Sequence, residues 1–268
     1  MSPLKTAGEI LETVVEDGRE ELGRASAGLA FSGLAAGLNI SFGATALAVV
    51  GAATGSIGLL AMLFYPIGFL IVILGRSQLF TENTITPVTV VLTQLSNIPN
   101  MLRLWVVVFI FNVLGAIIFA ATVVYADLLG PTALKLLLDE VAIKLDYGFW
   151  NTFLKAIFGG WLVALIAWLV AAVKDTISQI FFVYALALLI PVGGLTHCIA
   201  GSTEVLISTF AGEATFVEYL GLFLLPTTLG NIVGGIVLVT LLNYGQVAGS
   251  KKKTPLSEYT DEDKQEDY

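Results

Sequence analysis

PVGGLTHCIAG, residues 191–201, holds the only histidine in the chain, and its reading decides the fold. It closes Gln179–Pro191, thirteen residues without a charge, and breaks that run with Pro191, Gly193 and Gly194 before an ordered pattern resumes near Ser202. An interruption inside so apolar a segment leaves backbone N–H and C=O groups unpaired. Hydrocarbon does not tolerate them unless protein or a cavity surrounds the break. His197 is therefore placed at a buried or pore-lining site.

The rest of the chain says why hydrocarbon is the relevant solvent. Of 268 residues 56% are hydrophobic and 13% charged, with a mean hydropathy of +0.87; soluble domains carry about a quarter charged residues. The charge also sits at the ends. Residues 1–25 contain Lys5, Arg19, Arg24 and six carboxylates, and residues 251–268 contain four lysines and six carboxylates. This is the layout of a polytopic membrane protein. The net charge of −8 then belongs to solvated ends, and no basic patch points to nucleic acid. One cysteine, Cys198, excludes an intramolecular disulfide.

Residues 9–24 read as an amphipathic helix lying at the membrane interface, with Ile10, Leu11, Val14, Val15 and Leu22 as its apolar face. Six apolar segments follow. The first covers 26–50 and carries Gly33-x-x-x-Gly37. The second starts near Ile57, is interrupted at GRSQLFTEN (75–83) and resumes over 84–95. The third is 104–126 and the fourth 149–173. The fifth starts near Ser178, breaks at the opening motif and resumes over 202–210. The sixth, 219–244, carries Gly230-x-x-x-Gly234, a second close-packing stripe. A short surface helix is expected from Pro131. The expected fold is all-α, with six transmembrane helices in an inverted 3+3 repeat (26–126 and 149–245) whose helices 2 and 5 are broken. Residues 1–25 form a polar N-terminal helix, 26–246 one membrane unit, and 247–268 a disordered tail. The distribution of Lys and Arg puts both termini in the cytoplasm of a multi-pass protein of the cytoplasmic membrane.

Broken helices meeting near the midplane form the substrate site in such repeats, and the N-termini of the resumed halves favour an anion there. His197 is the sharpest candidate, because polar groups inside a membrane are functional by default. It is a plausible proton donor to a passing weak acid. Thr81, in the first break, is placed to bond His197 or to cap the helix that follows. Leu79 and Phe80 are candidate constriction residues. Asn231 either bonds a neighbouring helix or lines the site. Arg76, Glu82 and Glu204 lie in or near the breaks and are expected to pair with one another, fixing the breaks or a subunit contact; the alternative is that Arg76 adds to anion attraction at the cytoplasmic mouth. No phosphate loop, metal-ligand cluster or nucleophile–base pair suggests an enzyme or a cofactor.

LeuPheThr at 79–81, GlyLeuThrHis at 194–197 and ProThrThrLeuGlyAsnIleValGlyGly at 226–235 together resemble the formate/nitrite transporter family, over about residues 26–246. The resemblance implies an aquaporin-like protomer in a homopentamer embedded in lipid, with one pore each for a small monovalent anion: formate, nitrite, acetate, lactate or hydrosulfide, often carried with a proton. It places the family's central histidine on His197, the threonine that bonds it on Thr81 and the nearby asparagine on Asn231. Constriction residues fall on Tyr65, Phe69, Leu79, Phe80 and Ile190. The family's vestibule lysine aligns near Gly148, with Lys144 as the nearest substitute. The sequence thus reads as a channel or proton-linked transporter for weak acids. A neutral-solute channel of aquaporin shape and a non-conducting structural or regulatory protein are the alternatives.

Overall fold

The computed structural model describes residues 5–250, and among them there are only helices and the segments that join them. Helix α1 (Ala7–Gly23) opens with a capping box: the Glu9 carboxylate accepts the Thr6 N–H at 2.6 Å, and the Thr6 hydroxyl accepts the Glu9 N–H at 3.3 Å. Its apolar stripe is not spread over an interface as expected. Ile10, Val14 and Leu22 are buried in the protein, Ile10 and Val14 in a cluster with Ile85, Ala164, Trp168 and Val239. Gly18 lies so close to the Thr86 carbonyl that a Cβ there would sit 2.4 Å away. Only glycine allows this approach.

The apolar region begins with α2 (Ser26–Ile40) and α3 (Phe42–Thr54), which together span 29 residues with a bend at Ser41. The Ser41 hydroxyl bonds the Gly37 carbonyl at 2.7 Å, the local competition that bends a helix. A single turn, α4 (Leu59–Met62), precedes α5 (Pro66–Leu74). After a non-helical stretch and a 3₁₀ turn at Glu82–Thr84 come α6 (Thr86–Thr93) and the long α7 (Ile98–Tyr125). At 28 residues α7 is roughly 42 Å long. It begins earlier than the apolar run suggests, because Pro99 is accepted in its first turn.

Helix α8 (Pro131–Asp146) leads into α9 (Gly148–Ala172) and α10 (Thr176–Val192). A second non-helical stretch separates α10 from α11 (Ala200–Phe210). The last helix, α12 (Phe216–Gly249), is continuous over 34 residues and contains two π-helical stretches, Tyr219–Leu224 and Ile236–Leu241. The polar tail expected from residue 247 therefore starts later than Gly249, and its residues 251–268 lie outside the described ones.

Four of these helical stretches are long and apolar enough to cross a membrane: 26–54, α7, α9 and α12. Both glycine stripes do what their spacing implies. Gly33 and Gly37 pack α2 on α7, where a Cβ at Gly37 would lie 2.1 Å from the Asn112 carbonyl. Gly230 and Gly234 pack α12 on α9, where a Cβ at Gly234 would lie 2.0 Å from the Ile157 carbonyl. The outside of the molecule is apolar as well. Leu102, Val106, Ile110, Leu114 and Ile118 form an exposed ridge down α7 at a four-residue spacing, a surface that water would penalise.

Candidate functional site

The two non-helical stretches begin alike. Helix α5 ends in a Schellman motif, with Ser77 N–H bonded to Val72 O at 3.0 Å and Arg76 N–H to Ile73 O at 3.2 Å. Helix α10 ends the same way, with Leu195 N–H bonded to Ile190 O at 2.9 Å and Gly194 N–H to Pro191 O at 3.1 Å. The left-handed position is Arg76 (φ 54°) in the first and Gly194 (φ 58°) in the second. Sequence reading marks the glycine. It gives no warning that an arginine adopts the same conformation.

Each stretch is then held by one asparagine from a long helix of its own half. Asn112 Oδ1, on α7, accepts the Phe80 N–H at 2.8 Å, and its Nδ2 donates to Gln78 O at 2.9 Å and Gly33 O at 2.8 Å. Asn231, on α12, repeats the pattern. Its Oδ1 accepts the Cys198 N–H at 2.9 Å, and its Nδ2 donates to Thr196 O at 3.1 Å and Ala156 O at 2.7 Å. Both side chains are fully buried. Each amide thus satisfies the exposed peptide groups on either side of one residue, Leu79 in the first stretch and His197 in the second. Asn231 neither bonds the imidazole nor simply joins two helices; it clamps the backbone around it. Asn112 escaped the sequence reading, although an amide inside IFNVLGA in a long apolar helix was a signal.

The clamps bring the two stretches together at His197. Its Nε2 lies 2.8 Å from Thr81 Oγ1, and both residues are at most 1% exposed. Its Nδ1 accepts the N–H groups of Ile199 at 3.3 Å and Ala200 at 3.1 Å, so the ring caps the start of α11. These contacts decide the tautomer. A nitrogen that accepts from two backbone donors holds no proton, so Nε2 carries the hydrogen and points it at Thr81. The Thr81 hydroxyl hydrogen is then left over. Charging the ring would set an Nδ1–H against two N–H donors and undo the cap. The site is thus built around a neutral imidazole rather than the proton-donating one expected from sequence.

The other candidate residues fall into four places. Phe69 meets the His197 ring edge-on, with centroids 5.1 Å apart, and Tyr65 follows at 5.9 Å from Phe69. Those two, Leu79 and Ile190 are all buried. Phe80 is engaged elsewhere, packed on the rings of Trp105 and Phe109 of α7. Arg76 and Glu82 line a cavity of about 640 Å³ on the face where α1 lies, together with Asp17, Glu21, Arg24 and Gln78. Glu204 is far from them, on α11. It is buried and paired with Lys144 of α8. The expected mutual pairing of Arg76, Glu82 and Glu204 does not form, because Lys144 takes Glu204 while Arg76 and Glu82 line the cavity beside α1. Lys144 is correspondingly a partner of Glu204 rather than an open vestibule cation.

Two hydrogen bonds in the wall of the cavity on the α1 face converge on one carboxylate. Glu21 accepts from Gln78 Nε2 at 3.1 Å and from Thr86 Oγ1 at 2.5 Å, which ties α1 to both ends of the first stretch. Burial raises the Glu21 carboxyl above its ordinary value, against the lowering effect of those two bonds. Burial likewise raises Asp17, with Arg76 opposing. From the other side, Thr240 in the second π-helical stretch of α12 donates to Thr84 O at 3.0 Å, and a Cβ at Gly235 would overlap Thr84.

This arrangement has known counterparts. Residues 8–245 match the formate/nitrite transporter family. The chain belongs to that family. It is 36% identical over 251 residues to inner membrane protein YfdC of Escherichia coli (strain K12), covering 89% of this chain and 78% of that one. Formate channel BtFdhC of Bacillus thuringiensis is 27% identical, with 85% and 90% covered. Among solved structures, a pentameric formate channel with formate bound superposes with a TM-score of 0.71 at 21% identity, covering 83% of this chain and 98% of that one. An FNT family ion channel gives 0.76 at 20% identity, covering 90% and 99%. The protein is thus a membrane transport protein of this family and not an enzyme.

Proposed function

We infer that the chain is a channel or proton-linked transporter for small monovalent anions that cross as weak acids, in the class of formate, nitrite, acetate, lactate and hydrosulfide. The observation that carries this reading is the Thr81–His197 bond at the meeting point of the two clamped stretches. It leaves one hydroxyl hydrogen in a core where Phe69 meets the His197 ring, Leu79 and Ile190 belong to the same buried cluster, and the Tyr65 ring follows beyond Phe69. A bare anion would lose far more hydration there than a single donor returns, whereas the neutral acid escapes most of that cost. The acid passes, and the Thr81 hydroxyl orients its oxygens.

The matching asparagine clamps support an inverted 3+3 repeat of six spans, in which α2–α3, α5–α6 and α7 form one half and α9, α10–α11 and α12 the other. In that reading residues 1–25 are the N-terminal helix, 26–246 the membrane unit, and both termini face the cytoplasm. The pentameric relative supports a homopentamer in the cytoplasmic membrane, with the apolar ridge of α7 facing lipid or a neighbouring copy. His197 and Thr81 would be the substrate site, Tyr65, Phe69, Leu79 and Ile190 its constrictions, and Asn112 and Asn231 its supports.

Reconstitution in liposomes tests the reading. Labelled formate, acetate and lactate should enter faster than into protein-free vesicles, increasingly so as pH falls. Thr81→Val should slow formate by about tenfold while Thr81→Ser keeps most of the rate. Flux of glycerol but of no weak acid, unchanged in Thr81→Val, would identify a neutral-solute pore instead.

A further inference from the structure

Two side chains that the transport reading leaves unused, Gln78 and Glu82, form the neck of the α1-face cavity, the part of its wall closest to Thr81 along the chain. Glu82 directly follows Thr81 in sequence and lines the cavity wall. Gln78 lines it too and is more than nine-tenths buried. Its Nε2 is spent on Glu21, so its Oε1 faces no donor at all. A buried acceptor without a donor is costly. Any O–H or N–H satisfies it: water in the resting cavity, and a ligand that brings its own donor when substrate displaces that water. A bare carboxylate anion brings none, but the carboxylic acid does.

The charges around this neck explain how an acid could be present there at neutral pH. Glu82 is within electrostatic reach of the Glu21 carboxylate and of the Arg76 guanidinium. Asp17 also lies near Arg76, and Arg24 near Glu21. The remaining charged groups in the wall are Lys5 and Glu20 from the α1 side and Lys174 from the α9–α10 connection. The wall as a whole balances four carboxylates, Asp17, Glu20, Glu21 and Glu82, against four cations, Lys5, Arg24, Arg76 and Lys174. Asp17 faces both Arg76 and Lys5, and Glu21 faces Arg24. Glu82 has only Arg76, shared with Asp17, and sits beside the Glu21 carboxylate, which makes it the carboxylate best placed to hold a proton. Glu82 is the one nearest the apolar path.

We propose that Glu82 is the proton-exchange group of this transporter, loading a proton onto the arriving carboxylate at the neck, where Gln78 Oε1 receives the new acid O–H. The inference rests on the weak-acid reading above and adds the residue that neutralises the substrate. In the step, the O–H bond of the Glu82 carboxyl breaks and its electron pair stays on Glu82. The proton bonds to a substrate carboxylate oxygen. Glu82 regains a proton from hydronium in the water of the cavity, and the neutral acid moves on to Thr81. In the reverse direction the same group takes the proton from the emerging acid. Arg76, by attracting the anion into the cavity, is a positioning residue.

Equilibrium exchange of labelled formate, with equal pH on both sides of proteoliposomes holding the full chain, tests this. Free formic acid falls about tenfold for each pH unit above its pKa. With a proton-exchange group, wild-type exchange should fall much less steeply than that. Glu82→Gln should restore the tenfold slope, while Glu82→Asp keeps the shallow one, a rescue that a merely structural role does not predict. Gln78→Met should raise the apparent KM for formate and leave the slope alone. A wild-type slope that already follows the free acid overturns the proposal without any variant, and so does a shallow slope in Glu82→Gln. Wild-type exchange no faster than in protein-free vesicles overturns the weak-acid reading and this inference together.

Discussion

The two interrupted stretches solve one problem with different chemistry. Both start from a Schellman motif and are pinned by an asparagine to peptides two and four residues further on, Gln78 and Phe80 in one, Thr196 and Cys198 in the other. Beyond that point they diverge. The second is self-sufficient: His197 caps α11 with its own ring, and the helix resumes at Ala200. The first has no side-chain cap on α6, runs through a 3₁₀ turn and resumes only at Thr86. Its support is borrowed, from Glu21 of α1 and Thr240 of α12. The backbone needs one amide clamp per break; what differs between the breaks is one imidazole, one hydroxyl and a charged cavity on a single face.

The clamp is where the comparison breaks most visibly. Asn112→Asp or Asn231→Asp keeps the size but removes both donated bonds and buries a charge, so each should lower stability by about 3 kcal/mol or more. Thermal melting in detergent would register it, with the two variants affected alike. A smaller loss at one asparagine would mean that its break is held elsewhere. Next comes the pair behind the second stretch. Lys144→Met strands the Glu204 carboxylate and should cost about 3 kcal/mol, whereas Lys144→Met with Glu204→Met should recover most of it. A double variant as unstable as the single one would show that Glu204 matters for more than its partner.

The left-handed residue sharpens the contrast between stability and function. Arg76 holds a conformation that Gly194 adopts without strain, so Arg76→Gly should raise stability by about 1 kcal/mol while weakening anion uptake at low substrate concentration. Equal uptake in that variant would leave the arginine without a transport role. The smallest effect concerns α1. Glu21 has an ordinary value of 4.5, raised when α1 is docked. The docked state therefore binds the proton more tightly, and docking weakens as pH rises from 4.5 through the raised value, then stays level. Protection factors along α1, which remove the intrinsic pH dependence of amide exchange, should fall over that window and fall less in Glu21→Gln.

Much of this was legible in the residues. Uncharged runs of the right length, Pro191-Val192-Gly193-Gly194 and the polar GRSQLFTEN placed the interruptions, since hydrocarbon punishes unpaired backbone wherever it occurs. The paired glycines announced the α2–α7 and α9–α12 contacts, because only the absence of a side chain permits such closeness. The isolated histidine marked where the two stretches meet, for the same energetic reason. Tertiary structure alone decided the partners. That Lys144 meets Glu204 while Arg76 and Glu82 face α1, that Asn112 is the counterpart of Asn231, and that the imidazole spends Nδ1 on a helix start all depend on contacts between residues far apart in the chain. Local pattern reports the cost of a polar group in an apolar medium, and only the folded arrangement says which group meets that cost.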